Sequence, residues 1–206
     1  MYYYLEGLVT IIEPNLAVLD VGGVGYCCHT TMNTLSRLET GKKARLYTFC
    51  NIKEDAFDIY GFHDQSEKCC FEQLLSVSGV GPKAAQSILS VATPESLAMA
   101  IVSDNDKVLT AAPGIGKRIA QRIILELKDK VSKETAAARA EGFVPPAGGA
   151  GMPGTKVADA AAALAVLGYS QAEISAALRG VDTEALTVEE IIKQVLRDTM
   201  KQVKRT

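Results

Sequence analysis

Between residues 74 and 127 one short pattern occurs twice, and it constrains the chain more than any other feature. The first copy reads Leu74-Leu75-Ser76-Val77-Ser78-Gly79-Val80-Gly81-Pro82-Lys83-Ala84-Ala85-Gln86-Ser87-Ile88-Leu89. The second, 35 residues later, reads Leu109-Thr110-Ala111-Ala112-Pro113-Gly114-Ile115-Gly116-Lys117-Arg118-Ile119-Ala120-Gln121-Arg122-Ile123-Ile124. The copies align without a gap, and Ala85/Ala120 and Gln86/Gln121 occupy matching places. Each sets two glycines around one apolar residue, between two apolar helical stretches. Such a pair permits a tight turn with positive φ and close approach of another backbone, while the apolar residue anchors the turn in the core.

The turn amides and the first turn of the following helix can then face a single anion. In the second copy Lys117, Arg118 and Arg122 follow with no acid among them, and Arg118 and Arg122 share a helix face. The candidate phosphate contacts are therefore the backbone of Gly79, Val80, Gly81, Gly114, Ile115 and Gly116 and the side chains of Lys83, Lys117, Arg118 and Arg122. These units are similar to tandem helix-hairpin-helix motifs, which grip the DNA backbone without reading sequence. The alternative is that each Gly-x-Gly only turns one helix into the next. Two in-register copies with basic residues at the same offset, Lys83 and Arg118, argue against it.

The remaining chain sets bounds on this reading. Its 206 residues suffice for one sizeable domain or two or three small ones. A net charge of −2 does not announce nucleic-acid binding, yet a nearly neutral chain binds DNA when its charges are segregated. Residues 63–134 hold nine Lys or Arg and nine Asp or Glu, so any basic face is local. No apolar run approaches the ~20 residues of a membrane span, and no basic stretch precedes an apolar signal core. The expectation is a cytoplasmic protein with no membrane partner. The cysteines, Cys27-Cys28, Cys50 and Cys69-Cys70, are odd in number and form no Cys-x-x-Cys. With His29 and His63 isolated, neither a metal site nor a disulfide framework is expected, and the thiols read as small apolar residues.

From residue 1 to 63 the pattern is all β. Apolar and β-branched segments at 2–12, 16–21, 24–31, 44–52 and 57–62 are divided by Pro14-Asn15, Gly22-Gly23 and Gly41-Lys42. Five or six short strands suit a small closed barrel of the OB type. Gly22-Gly23-Val24-Gly25 reads as a hairpin turn, because no helix pattern follows it. Lys53-Glu54-Asp55-Ala56 makes a short tip between two strands. It is either an ordinary solvated turn or a pair of carboxylates that repels phosphates and keeps two strands apart.

Residues 64–134 turn helical, opening on the capping box Asp64-Gln65-Ser66-Glu67 and later Thr93-Pro94, with helices expected at 66–76, 82–91, 95–102, 105–111 and 117–132. Residues 135–155 form a linker rich in Gly, Pro and Ala, with 136–138 able to extend the preceding helix. Its length permits the next domain to move independently. Residues 156–206 give a three-helix, UBA-like bundle: one helix through Val157, Ala160, Ala161, Leu164 and Leu167 stopping at Gly168, a second after the box Ser170-Gln171-Ala172-Glu173, and a third after Thr187-Val188-Glu189-Glu190. Three short helices barely form a core, so Leu167, Tyr169 and Leu196 either fill it or stand exposed for a partner. The fold class is multi-domain α+β.

In this order the chain resembles the RuvA family, DNA-binding subunits of the bacterial Holliday-junction branch-migration complex. The resemblance rests on Leu5-Glu6-Gly7, Glu54-Asp55 followed by Tyr60-Gly61-Phe62, Gly79-Val80-Gly81-Pro82-Lys83, Pro113-Gly114-Ile115-Gly116-Lys117 and Leu167-Gly168-Tyr169. It covers all but the linker, and the cysteine pairs lie outside the family pattern. It implies a flat homotetramer, alone or as two facing tetramers, whose symmetry matches a four-way DNA junction. Glu54 and Asp55 would form an acidic pin at the crossover. The terminal module would recruit the hexameric ATPase RuvB, with Leu164, Leu167, Tyr169 and Leu196 as contacts, and the junction resolvase RuvC would join a larger complex. The setting is recombination, DNA repair and the SOS response.

No catalytic residue and no cofactor is expected. Gly116-Lys117 is followed by Arg118, and position 111 is Ala, so there is no Gly-x-x-x-x-Gly-Lys-(Ser/Thr) to bind ATP. The rival is a DNA-repair glycosylase with Lys83 as nucleophile, but no Gly/Pro-rich loop ending in Asp follows either hairpin. A metal nuclease would need carboxylates beyond Glu54 and Asp55. A generic DNA-end or ubiquitin-like adaptor is the second rival. Preference for four-way over linear DNA separates the first reading from both.

Overall fold

The computed structural model describes residues 1–140, 156–169, 171–181, 183 and 185–203. The five strands β1 (Tyr4–Glu13), β2 (Leu16–Val21), β3 (Val24–His29), β4 (Lys43–Ile52) and β5 (Phe57–Phe62) close into a barrel in the order β1-β2-β3-β5-β4, with β4 paired back to β1. All pairings are antiparallel except β3 with β5. Val9, Ala17, Leu19 and Leu46 are fully buried at its centre. Gly22 and Gly23 have positive φ and make the β2–β3 hairpin turn, with Gly23 N–H donating to Asp20 Oδ1 at 2.7 Å. Gly7 is required by packing: a Cβ there would lie 2.2 Å from the Asp20 carbonyl oxygen. The strand expected to reach residue 31 stops at His29, and a short helix α1 (Met32–Leu35) follows, capped by Thr31, whose hydroxyl accepts from Thr34 N–H at 3.0 Å.

Two helices are fastened to this barrel. In α2 (Gln65–Leu75) the buried ring of Phe71 meets Phe49, Tyr60 and Phe62 with centroids 4.8–5.4 Å apart. The expected capping box is only half formed. Asp64 caps the Glu67 amide at 2.8 Å, but the Glu67 carboxylate turns inward and accepts from the hydroxyls of Thr31 and Thr34, the latter at 2.5 Å. Burial pushes this carboxyl up from its ordinary range, and the two hydroxyls partly offset the rise. In α3 (Pro82–Val91) the buried Gln86 amide donates to the carbonyls of Thr30 at 2.5 Å and Asn15 at 3.1 Å. Asn33 donates to Leu89 O at 2.5 Å. Helix α3 is thus fastened to the barrel through the carbonyls at the β1–β2 turn and after β3.

The helices that follow are α4 (Pro94–Val102), α5 (Asp106–Thr110), α6 (Lys117–Ala140), α7 (Lys156–Val166), α8 (Gln171–Leu178) and α9 (Val188–Val203). By packing the chain divides into two compact units, Met1–Thr93 with Ala111–Ile115, and Pro94–Thr110 with Gly116–Thr206. The first hairpin therefore groups with the barrel. Helix α6 runs to Ala140, through the first residues of the expected linker; residues 141–155 lie outside those described.

Leu167-Gly168-Tyr169 ends α7 as a Schellman motif. Gly168 has φ 100°, its N–H reaches Ala165 O at 3.0 Å, and Tyr169 N–H reaches Leu164 O at 3.1 Å. The box at Thr187 is complete: Thr187 N–H donates to Glu190 Oε2 at 2.9 Å and Glu190 N–H to Thr187 Oγ1 at 3.3 Å. The box expected at Ser170 begins on a residue outside those described. Leu164, Leu167, Tyr169 and Leu196 are all buried, so of the two alternatives for Leu167, Tyr169 and Leu196 the structure has them filling the core. The physical reason is cover: within this unit α7 lies against α6 and α9, and α9 lies against α4.

Candidate nucleic-acid interface

The two glycine turns have the same hydrogen-bond pattern. Val80 N–H donates to Val77 O and Ile115 N–H to Ala112 O, both at 3.1 Å. Ala85 N–H donates to Gly81 O and Ala120 N–H to Gly116 O, both at 3.0 Å. Val80 and Ile115 are buried and pin each turn, while the flanking glycines are exposed. Gly79 (φ 89°) and Gly114 (φ 82°) occupy the left-handed region and are glycine for that reason.

Gly81 and Gly116 are different. Neither has a positive φ, and a Cβ on either would meet nothing within 4 Å. Neither conformation nor internal packing asks for glycine at these two places. What a side chain there would obstruct is the open ground in front of the following helix. Gly81 is the N-cap of α3 and offers no side chain to its first turn. Neither α3 nor α6 has an acidic residue in its first turn, so both helix N-termini keep their positive potential.

Lys83, Lys117, Arg118 and Arg122 are all exposed. Arg122 is engaged by Glu126, one turn further along α6, at 2.7 Å. The Pro113 carbonyl of the second turn accepts from Ser87 Oγ of α3 at 2.9 Å. The aligned glutamines differ in use. Gln86 is spent on the barrel, whereas Gln121 is exposed and 3.4 Å from Asp106 Oδ2. The second hairpin is the more basic one, as the sequence shows, and the first is anchored to the barrel, which the repeat alone does not reveal.

Glu54 and Asp55 occupy the tip between β4 and β5, closed by Lys53 N–H to Ala56 O at 2.8 Å, and both are exposed. Among the described residues neither makes an ion pair, and no group of three or more His, Cys, Asp and Glu is placed to hold a metal. Burial pushes the Cys28 thiol up to about 12, so it stays protonated and packs as an apolar group. No single helix among the described residues is long and apolar enough to cross a membrane.

Three family models match the chain: RuvA N terminal domain over residues 1–61, SAM-like Helix-hairpin-helix tandem over 71–129, and RuvA, C-terminal domain over 155–200. Among curated relatives, the Holliday junction branch migration complex subunit RuvA of Acetivibrio thermocellus is 42% identical over 96% of this chain and 98% of its own length. The proteins of the same name from Geobacter sp. (strain M21) and Streptomyces coelicolor are 42% and 40% identical, covering 98% and 90% of this chain and 100% and 88% of their own lengths. With barrel, tandem hairpins and terminal helices matched in order, the chain belongs to the RuvA family.

Proposed function

We propose that this chain binds four-way DNA junctions without reading sequence, as a homotetramer that holds the junction open and flat and presents it to an ATP-driven RuvB motor. The observation that carries the reading is the pair Gly81 and Gly116, which are glycine although neither φ nor packing requires it. A phosphate brought against the turn amides needs that space. The amides of Gly79, Val80 and Gly81, and of Gly114, Ile115 and Gly116, hold the backbone with Lys83, Lys117, Arg118 and Arg122. Arg122 exchanges part of its pairing with Glu126 for a phosphate oxygen.

Glu54 and Asp55 act as an acidic pin. Being exposed and adjacent, they repel phosphates at the crossover and favour separated strands. The protein does no covalent chemistry; it lowers the cost of exchanging base pairs, and the ATPase resides in the partner. By function the chain is read as a barrel over 1–63, a hairpin domain over 64–134, a linker over 135–155 and a motor-recruiting module over 156–206. The buried Leu164, Leu167, Tyr169 and Leu196 hold that module together, and its outer surface meets the motor. In this reading the chain acts on recombination and repair intermediates in the bacterial cytoplasm, with RuvC as a further partner.

The test is reconstitution of branch migration on a mobile junction with RuvB and ATP. Exchange that depends on this chain supports the reading. Exchange by RuvB alone at the same rate, or cleavage of the DNA by this chain in magnesium, would overturn it.

A further inference from the structure

The β4–β5 hairpin overshoots the barrel, and its core-facing row runs out into solvent. Along β4 the inward residues Leu46, Thr48 and Cys50 are 0%, 2% and 7% exposed, but the next in the row, Ile52, is 65% exposed. On β5, Ile59 opposite Cys50 is 7% exposed, and Phe57 opposite Ile52 is 52% exposed. The Tyr2 ring lies 6.1 Å from Phe57 and 5.7 Å from Tyr26, centroid to centroid. Polar residues would serve a solvated rung as well. Instead an apolar strip, with an aromatic ring on it, leads from the barrel mouth to Glu54 and Asp55.

We propose that Ile52, Phe57 and Tyr2 form a stacking platform for unpaired nucleobases of DNA strands parted at the hairpin. The inference rests on the junction-binding reading and adds to it a second contact beside the pin. Charge selects the occupant: adjacent exposed carboxylates repel a phosphodiester backbone, so a strand meets this hairpin by its uncharged bases. An aromatic face takes any base, which suits binding that reads no sequence. The hairpin then works in two ways, with its tip excluding phosphates and its apolar side holding the bases that lose their partners.

The experiment uses the full chain and a four-way junction carrying 5-iododeoxyuridine either at the crossover or in the middle of an arm. Irradiation cross-links this base to side chains it stacks on, and peptide mapping identifies them. Adducts at Phe57 or Tyr2 are expected for the crossover position only, and Phe57→Ala should reduce them about tenfold and weaken junction binding roughly fivefold to hundredfold, the loss expected for one stacked base. Phe57→Leu, which keeps an apolar side chain on the rung, should give the same loss of adduct with an unaltered fold. A bound junction with no adduct at either residue would overturn the inference. So would a change in the mass of the free protein in Phe57→Ala, which would assign the strip to contact with a second copy. If no variant, nor the parent chain, retains a junction, the junction-binding reading itself fails and the platform falls with it.

Discussion

Alanine at Gly79 and at Gly81, two residues apart on one turn, should have opposite consequences. Gly79 sits at φ 89°, so a Cβ there forces the left-handed region and costs about 1–2 kcal/mol of stability. Gly81 sits at φ −94° and ψ 173° with open space around it, so alanine is accommodated there. Restricting the unfolded chain favours alanine by about 0.4–1 kcal/mol, and loss of glycine at the N-cap of α3 costs a similar amount, so stability should stay nearly unchanged. For DNA the order reverses. A methyl group at Gly81 stands where the phosphate approaches, and one broken amide–phosphate hydrogen bond is worth about 1.5–3 kcal/mol. That corresponds to roughly a tenfold to hundredfold weaker junction complex per engaged turn. Denaturant unfolding reads the first quantity and fluorescence anisotropy with a labelled junction the second. If Gly81→Ala binds like the parent chain, or unfolds as early as Gly79→Ala, then the spare glycine is not a ligand site and the reasoning is wrong.

Other expectations follow from the same geometry. Glu67 has its carboxyl pKa raised in the fold, so the native state holds its proton to higher pH than the unfolded chain does, and stability falls as pH climbs from about 4.3 through the raised value. Glu67→Gln removes that slope, so its stability relative to the parent should grow with pH in denaturant titrations. Glu67→Ala leaves the hydroxyl protons of Thr31 and Thr34 without their acceptor, although both oxygens still accept a backbone N–H, and should cost about 1–3 kcal/mol in total. Replacing Lys117 and Arg118 together by Ala should flatten the dependence of log K on log salt by about 1 for each phosphate no longer neutralised, measured by anisotropy across salt. Glu54→Gln with Asp55→Asn should tighten junction binding while slowing strand separation. Each removed charge relieves about 1 kcal/mol at 4 Å in water, and an unchanged affinity would show that the tip does not face phosphate.

Much of this was legible in the chain. The glycine spacing carries its own conformational demand, and the apolar and β-branched segments divided by Pro14-Asn15, Gly22-Gly23 and Gly41-Lys42 mark the barrel strands. The motif Leu167-Gly168-Tyr169 could be recognised as a helix stop, and the structure explains it as a Schellman cap. What stayed hidden depends on partners distant in sequence. Asp64-Gln65-Ser66-Glu67 has the spacing of a reciprocal box whether or not Glu67 turns back, and only Thr31 and Thr34 decide that it does not. Gln86 and Gln121 align perfectly, yet one is buried because barrel carbonyls lie in reach. Periodicity identified Val157, Ala160, Ala161, Leu164 and Leu167 as one apolar set but not what covers it. The spare character of Gly81 and Gly116 was also invisible, because sequence does not tell a glycine needed for φ from one needed for space.

The central claim is that paired phosphate cradles on a symmetric assembly select a four-way junction. It is tested most directly by competition for the full chain at physiological salt between an immobile junction and linear duplex of the same arm sequence, without metal or nucleotide. Retention of the intact junction as a discrete complex against excess duplex is the predicted result. Equal binding of junction and duplex would contradict it.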